Sequence, residues 1–317
     1  MERELRDDHF ETGFRRSFDH EACERLRQDV ARGEAMGMRA GVFAKVGDSN
    51  LALYHALYGL GFLDPVWGGF ERLDSTMRRY RETEVPAGDP PADEPIPREV
   101  PANSFSRSSA ATRSMIKPEH LTDPASKFKG RPLGWSTDPQ CPPGRSMLHF
   151  EIEVLRPRYV LLNVGSNGIK YGMSGKKTGK QVGRLIKEIK KLGPVPIVFT
   201  IPPQIDRDEL QGRWKFVEDT NRTIEAAARK AKVPVFDQWT VLTGEDLVFN
   251  GLVEFDTGYF DGLHLETLGG FREPDALEKS VDFSPDGLRY GSNLRNLLVL
   301  QILEFLDSVT GESGRAG

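Results

Sequence analysis

Two kinds of apolar pattern alternate along this chain. In one, four to seven consecutive positions are almost all apolar. In the other, apolar residues recur every three or four positions with charged residues between them. The first reads as strand buried on both faces, the second as amphipathic helix. Gly41-Val42-Phe43-Ala44-Lys45-Val46 is a run of the first kind and stops at Gly47-Asp48-Ser49-Asn50. Arg158-Tyr159-Val160-Leu161-Leu162-Asn163-Val164 is the next, ending at Gly165-Ser166-Asn167. Val195 to Ile201 ends at Pro202-Pro203, and Val233-Pro234-Val235-Phe236-Asp237 follows. Between them lie helical stripes. Cys23, Leu26 and Val30 mark one over about 19–32, closed by Gly33 and Gly37. Leu51, Leu53, Tyr54, Leu57 and Leu60 fit a second. Val182, Leu185, Ile186, Ile189 and Leu192 form a third, with lysines on its other face and Gly193-Pro194 as its stop. Trp214, Val217, Ile224, Ala228 and Ala231 form a fourth. Leu294, Leu297, Leu298, Ile302 and Phe305 point inward on a closing helix over about 292–309.

Buried strands alternating with amphipathic helices predict an α/β fold of three layers, α/β/α, around a doubly wound sheet of about five parallel strands. The strand ending at Val46 is expected in the centre of that sheet. In such folds the working residues sit on loops at the C-terminal strand ends, which directs attention to 47–50, 165–167 and 202–206. The pattern lapses twice. Residues 84–101 are rich in proline and acid, and 122–144 are again irregular; neither suits a helix or an interior strand. The chain therefore reads as a single domain over 1–317, with an irregular insertion at about 65–145 and a shorter one at about 265–282.

Composition narrows the function classes. The 317 residues suffice for one full core, and a formal net charge of −4 argues against a nucleic-acid partner. No window approaches the 18 or so apolar residues of a transmembrane segment. The opening Met1-Glu2-Arg3-Glu4-Leu5-Arg6-Asp7-Asp8 is too charged for a signal peptide. That leaves a cytoplasmic protein, or an exported one whose leader lies outside this chain. A monomer is expected. Cys23 and Cys141 read as two unrelated thiols, with a single disulfide as the alternative. The six histidines show no metal-ligand spacing, so neither metal nor other cofactor is expected.

The candidate chemistry lies at the strand ends. Ser49 follows a buried strand directly and opens a helix, where backbone N–H groups face a developing oxyanion; the simpler reading is a helix cap. A serine hydroxyl needs a base to become a nucleophile. Of the histidines, His264 alone combines a carboxylate three residues earlier, Asp261, with a place after the last strand. Gly258 and Gly262 disfavour a helix there, and in a loop Asp261 can bond one ring nitrogen and leave the other for the serine. Asn167 presents a side-chain amide at its strand end, either as an oxyanion donor or as a turn residue.

Taken in order, these residues resemble the SGNH, or GDSL, hydrolases over roughly residues 40–310. Gly47-Asp48-Ser49 matches the first block. Gly165-Ser166-Asn167 matches the third, with Gly168 where the family has aspartate. Asp261 to His264 matches the fifth. The resemblance implies a flavodoxin-like fold and metal-free ester chemistry. Ser49 would be the nucleophile, His264 the base and Asp261 its orienting acid, with Asn167 and the Ser49 N–H as oxyanion donors and Gly165 beside them. The second block departs from the family: Ser114 stands where a glycine is expected, flanked by Arg107 and Arg113, which suit either an anionic substrate group or structural salt bridges. Asp286-Gly287-Leu288-Arg289 competes as fifth block and, with arginine in place of histidine, would give a dead site. The expected activity is serine-dependent hydrolysis of a small-molecule ester, an acylated carbohydrate or lipid among the candidates. A non-catalytic binding module and an acyltransferase to a glycan are the alternatives.

Overall fold

The computed structural model describes residues 4–14, 18–53, 55–87, 100–112, 116–126, 141–170, 172–204, 212–243, 264–270, 273 and 275–311. Each predicted strand is present: β1 (Arg39–Gly47), β2 (Pro157–Asn163), β3 (Val195–Phe199) and β4 (Val235–Phe236). They form one sheet in the order β1-β2-β3-β4, and all three pairings are parallel. Parallel neighbours need crossover connections, and helices supply them.

Side chains of period two send each strand's residues to opposite faces, so both faces need cover. Phe43, Tyr159, Leu161, Ile197 and Phe236 pack on one side in a single cluster. The helices over them are α1 (Glu4–Gly13), α2 (His20–Ala35), α4 (Asp74–Glu82) and the closing α12 (Gly291–Thr310). Val42, Ala44, Val46, Val160, Leu162 and Val198 face the other way. Over them lie α5 (Pro118–Thr122), α6 (Met147–Leu155), α8 (Gly175–Leu192) and α9 (Gly212–Ala231). The apolar stripe predicted for α8 is its buried face, and the helix ends at Gly193 with φ +119°. The remaining helices are short: α3 (Ser49–Ala52), α7 (Ser166–Lys170), α10 (Gln238–Leu242) and α11 (Ala276–Lys279).

Three expectations need correction. The strand ending at Val46 is not central; among the described residues β1 is an edge strand. Its outer edge is satisfied by the irregular segment 103–112 instead of a regular fifth strand. Ser104 Oγ accepts the Phe43 N–H at 3.0 Å, Ser109 Oγ donates to the Lys45 carbonyl at 2.6 Å, and Gly47 N–H bonds the Ala111 carbonyl at 3.0 Å. Serine side chains thus replace backbone partners, which no strand periodicity announces.

The second correction concerns the helix expected from Leu51 to Leu60. It breaks into α3 and a 3-10 turn at Tyr58–Gly61, because Leu57 takes φ +71°. Asn296 of α12 compensates by accepting the Leu57 N–H and donating to the His55 carbonyl, at 3.1 and 2.9 Å. Third, the stretch read as an irregular insertion from about 65 contains α4, whose Met77 and Tyr80 are buried in the core. Residues 88–99 and 127–140 of the two proline-rich stretches lie outside the described residues. No described helix is long and apolar enough to cross a membrane. Cys23 and Cys141 are both free thiols.

Candidate active site

The first two strands finish side by side, with Gly47 opposite Asn163. The approach is so close that a Cβ on Gly47 would lie 2.1 Å from the Asn163 carbonyl oxygen. Glycine is therefore required there for backbone proximity. The Asp48 N–H donates to that same carbonyl at 3.0 Å. The Asp48 carboxylate is fully buried and staples the two strand ends. Oδ1 caps α3 by accepting the Asn50 N–H at 3.2 Å, and Oδ2 accepts the Ser166 N–H at 3.3 Å. Burial raises its pKa above the usual aspartate value, against the pull of those bonds and of His264.

Ser49 follows as the first residue of α3, with 7% of its surface exposed. Its Oγ shares a hydrogen bond of 2.7 Å with Nε2 of His264, 215 residues further on. Serine and histidine are thus in the relation that a nucleophile and its base require. The described residues include no cluster of three side chains suited to a metal ion.

Helix α12 holds both halves of this pair through buried polar side chains in its first two turns. On the histidine side, Ser292 Oγ donates to the Leu265 carbonyl at 3.1 Å, and the Ser292 N–H to the Glu266 carbonyl at 2.8 Å. Asn293 Oδ1 accepts from Thr267 Oγ1 and from the Leu268 N–H, at 3.1 and 3.2 Å. On the serine side, Arg295 Nη1 donates to the Asn50 carbonyl at 2.5 Å, and Asn296 brackets His55 and Leu57. Burial lowers the Arg295 pKa to about 9, opposed by the negative charge of Asp48.

Asn167 lies on α7, 8% exposed, and one N–H of its amide donates to the Ile116 carbonyl at 3.3 Å. Its neighbour Ser166 is the residue bonded to Asp48, which ties this strand end to that of Ser49. Gly165 adopts φ +126°, and a Cβ there would meet Ile201 Cδ1 at 2.8 Å. Asp261, Arg113 and Ser114 lie outside the described residues. Arg107 does not face a substrate: it is 3% exposed and pairs with buried Glu151 through Nε at 2.9 Å and Nη2 at 3.3 Å. Asp286 and Arg289, the rival fifth block, are solvent-exposed on a 3-10 turn. His149 makes a second serine–histidine–carboxylate row with Ser146 and Glu188. Ser146, however, is 2% exposed and accepts the His149 N–H as the cap of α6, so this row is structural.

Sequence reading missed the polar row of α12. The one signal available was the run Ser292-Asn293-Leu294-Arg295-Asn296, too polar for the buried helix that its leucines announce.

Residues 133–269 match the profile of the GDSL-like lipase/acylhydrolase family. That stretch contains Gly165, Asn167, Asp261 and His264 and begins after Ser49. No curated protein matches the chain. Among solved structures, a lipase/acylhydrolase from Enterococcus faecalis is similar at 14% identity, over 83% of this chain and 95% of that one, with a TM-score of 0.46. A peptidoglycan O-acetylesterase is similar at 10% identity, over 90% and 96%, with a TM-score of 0.49. Axe2, an acetylxylan esterase from Geobacillus stearothermophilus, is similar at 11% identity, over 87% and 96%, with a TM-score of 0.42.

Proposed function

We propose that the chain is a hydrolase of the SGNH/GDSL kind that cleaves a small-molecule ester by serine catalysis, with Ser49, His264 and Asp261 as the triad; the match of residues 133–269 to the GDSL-like lipase/acylhydrolase family supports this reading. The observation that carries this reading is the 2.7 Å bond between Ser49 Oγ and His264 Nε2. In the acylation step His264 Nε2 takes the hydroxyl proton as Oγ attacks the ester carbonyl carbon. The tetrahedral oxyanion is held by the Ser49 N–H and by the second N–H of the Asn167 amide. The intermediate collapses with cleavage of the C–O bond, and the imidazolium returns its proton to the leaving alcohol. Water, deprotonated by the same ring, then attacks the acyl-serine and releases the carboxylic acid. Asp261 stabilises the imidazolium from the other ring nitrogen. Acylated carbohydrates and lipids are the proposed substrates, and Gly165 and Ser114 are assigned to the walls of the oxyanion site.

The test is labelling by a fluorophosphonate together with turnover of p-nitrophenyl acetate. The wild type should be labelled at one serine. Ser49→Ala should not be labelled, and Ser49→Ala and His264→Ala should each lose about 10⁴-fold or more in kcat. Thermal stability should change little, since Asp48 remains the cap of α3 and each variant loses one hydrogen bond, worth about 1 kcal/mol. A folded wild type that neither labels nor turns over would sink the reading in favour of a binding module.

A further inference from the structure

Ser49 stands on α3, a helix of a single turn. So short a helix closes few hydrogen bonds of its own and depends on partners outside it. Within the turn, the Ala52 and Leu53 N–H groups donate to the carbonyls of Asp48 and Ser49 at 3.2 and 3.0 Å. The chain then leaves the helix at Leu53, whose ψ of 140° is extended. Asn50, directly after Ser49, is gripped at both of its backbone groups by buried side chains of opposite charge. Asp48 Oδ1 accepts its N–H at 3.2 Å, and Arg295 Nη1 donates to its carbonyl at 2.5 Å from 245 residues away. Arg295 is 1% exposed, and its Nε and Nη2 are buried without a partner among the described residues. Taking a guanidinium out of water is costly, and an apolar side chain could fill the same space without that cost. What arginine adds here is the bond to Asn50. One turn earlier on α12, Ser292 bonds the carbonyls of Leu265 and Glu266, the two residues after His264. Residues three apart on a helix share a face, so one short stretch of α12 is fastened to both segments.

Resting on the hydrolase reading above, we propose that Arg295 is a positioning residue, whose hydrogen bond to the Asn50 carbonyl fixes the turn that carries Ser49 and so keeps its Oγ in reach of His264 Nε2. The reasoning is geometric. The start of α3 is tied to the sheet, since the Asp48 N–H donates to the Asn163 carbonyl and the Asp48 carboxylate to neither strand alone but to both ends, through Asn50 and Ser166. A turn held only at its start can still pivot about that point. Asn296 holds the chain at His55 and Leu57, beyond the turn, whereas Arg295 holds it at the residue next to Ser49. A productive pair must be kept to within about 0.5 Å. A pivot that moves Oγ by about 1 Å would also turn the Ser49 N–H away from the oxyanion, so attack and stabilisation fail together.

The experiment follows p-nitrophenyl acetate turnover in Arg295→Met, Arg295→Lys and Arg295→Ala. Arg295→Met fills the space and removes the donor; it should lose about 10- to 100-fold in kcat with KM unchanged, the cost of a misplacement of about 1 Å. Arg295→Lys keeps a cationic donor on a shorter stem and should lie between the methionine variant and the wild type. Arg295→Ala leaves room for a free guanidinium ion. At about 50 mM, far below the molar range that unfolds small domains, guanidinium chloride should return at least about tenfold of the lost kcat, and sodium chloride at the same concentration should not. The fluorophosphonate labelling rate of Ser49 should follow kcat throughout. Guanidinium weakens folded structure in general, so a loss of activity through loss of fold would deepen with it instead of reversing. Should the alanine variant fail to fold, the methionine and lysine variants carry the comparison. Equal losses in those two, a kcat within twofold of wild type for Arg295→Met, or a folded Arg295→Ala that guanidinium does not restore would overturn the proposal. Absence of both labelling and turnover in the wild type would remove the hydrolase reading itself, and this role with it.

Discussion

Lys45 offers a measurement of how dry the sheet is beneath Ser49. It lies on β1 four residues before Ser49, is 4% exposed, and donates from Nζ to the Phe105 carbonyl at 2.8 Å. Burial lowers its pKa from 10.5 to about 7; the Glu151 charge opposes the shift and those of Arg107 and Arg295 add to it. In the unfolded chain this lysine stays protonated up to about 10.5, while in the folded chain it gives up its proton near 7. Between these values the unfolded state binds more protons, so the contribution of Lys45 makes folding more favourable as pH rises. Applying the linkage relation between pH 7.5 and 9.5 gives a gain on the order of 2–3 kcal/mol, near the limit of about 1.4 kcal/mol per pH unit. Lys45→Met keeps the length of the side chain and removes the titration. It also leaves the Phe105 carbonyl without this donor, which costs about 1–3 kcal/mol at every pH. Urea denaturation of both proteins at several pH values isolates the effect, because every other group titrates in each. The wild type should gain on the variant by roughly 2–3 kcal/mol from pH 7.5 to 9.5. A gap constant to within about 0.5 kcal/mol would refute the reasoning, as would a wild type that loses ground with rising pH.

Two further outcomes bear on the strand ends. Gly47→Ala places a methyl group 2.1 Å from the Asn163 carbonyl oxygen, so β1 and β2 must part beside Ser49; thermal denaturation should show a loss of about 3 kcal/mol or more, with turnover lost as well. Asn167→Ala should reduce kcat by about 10²- to 10³-fold and leave KM little changed, as for the loss of one oxyanion donor. A fall confined to KM would assign Asn167 to substrate binding instead.

Much of the candidate site was legible in the sequence because strand ends are local events. The apolar runs ending at Gly47, Asn163 and Phe199 follow from burial on both faces, and a parallel sheet then brings their C-terminal ends to one edge. Ser49 and Asn167 could be assigned to that edge without knowing any contact between them. His264 was singled out on chemical grounds, since a serine proposed as nucleophile needs a base and the other histidines lacked a suitable place. The approach of His264 to 2.7 Å from Ser49, across 215 residues, was decided by tertiary structure alone. The same holds for Arg107, which sequence leaves between substrate and scaffold and which Glu151 claims for the core. It holds again for the break at Leu57, where Asn296 replaces the hydrogen bonds that a continuous helix would have made. The reason is common to all three. Periodicity records which side of an element faces apolar neighbours, and an apolar contact is tolerant of its partner. A buried polar group needs one particular partner at one distance, and that partner is supplied by whatever the fold brings near. Ser292, Asn293, Arg295 and Asn296 are therefore unremarkable as sequence, and only in the folded chain do they become the frame that holds Ser49 against His264.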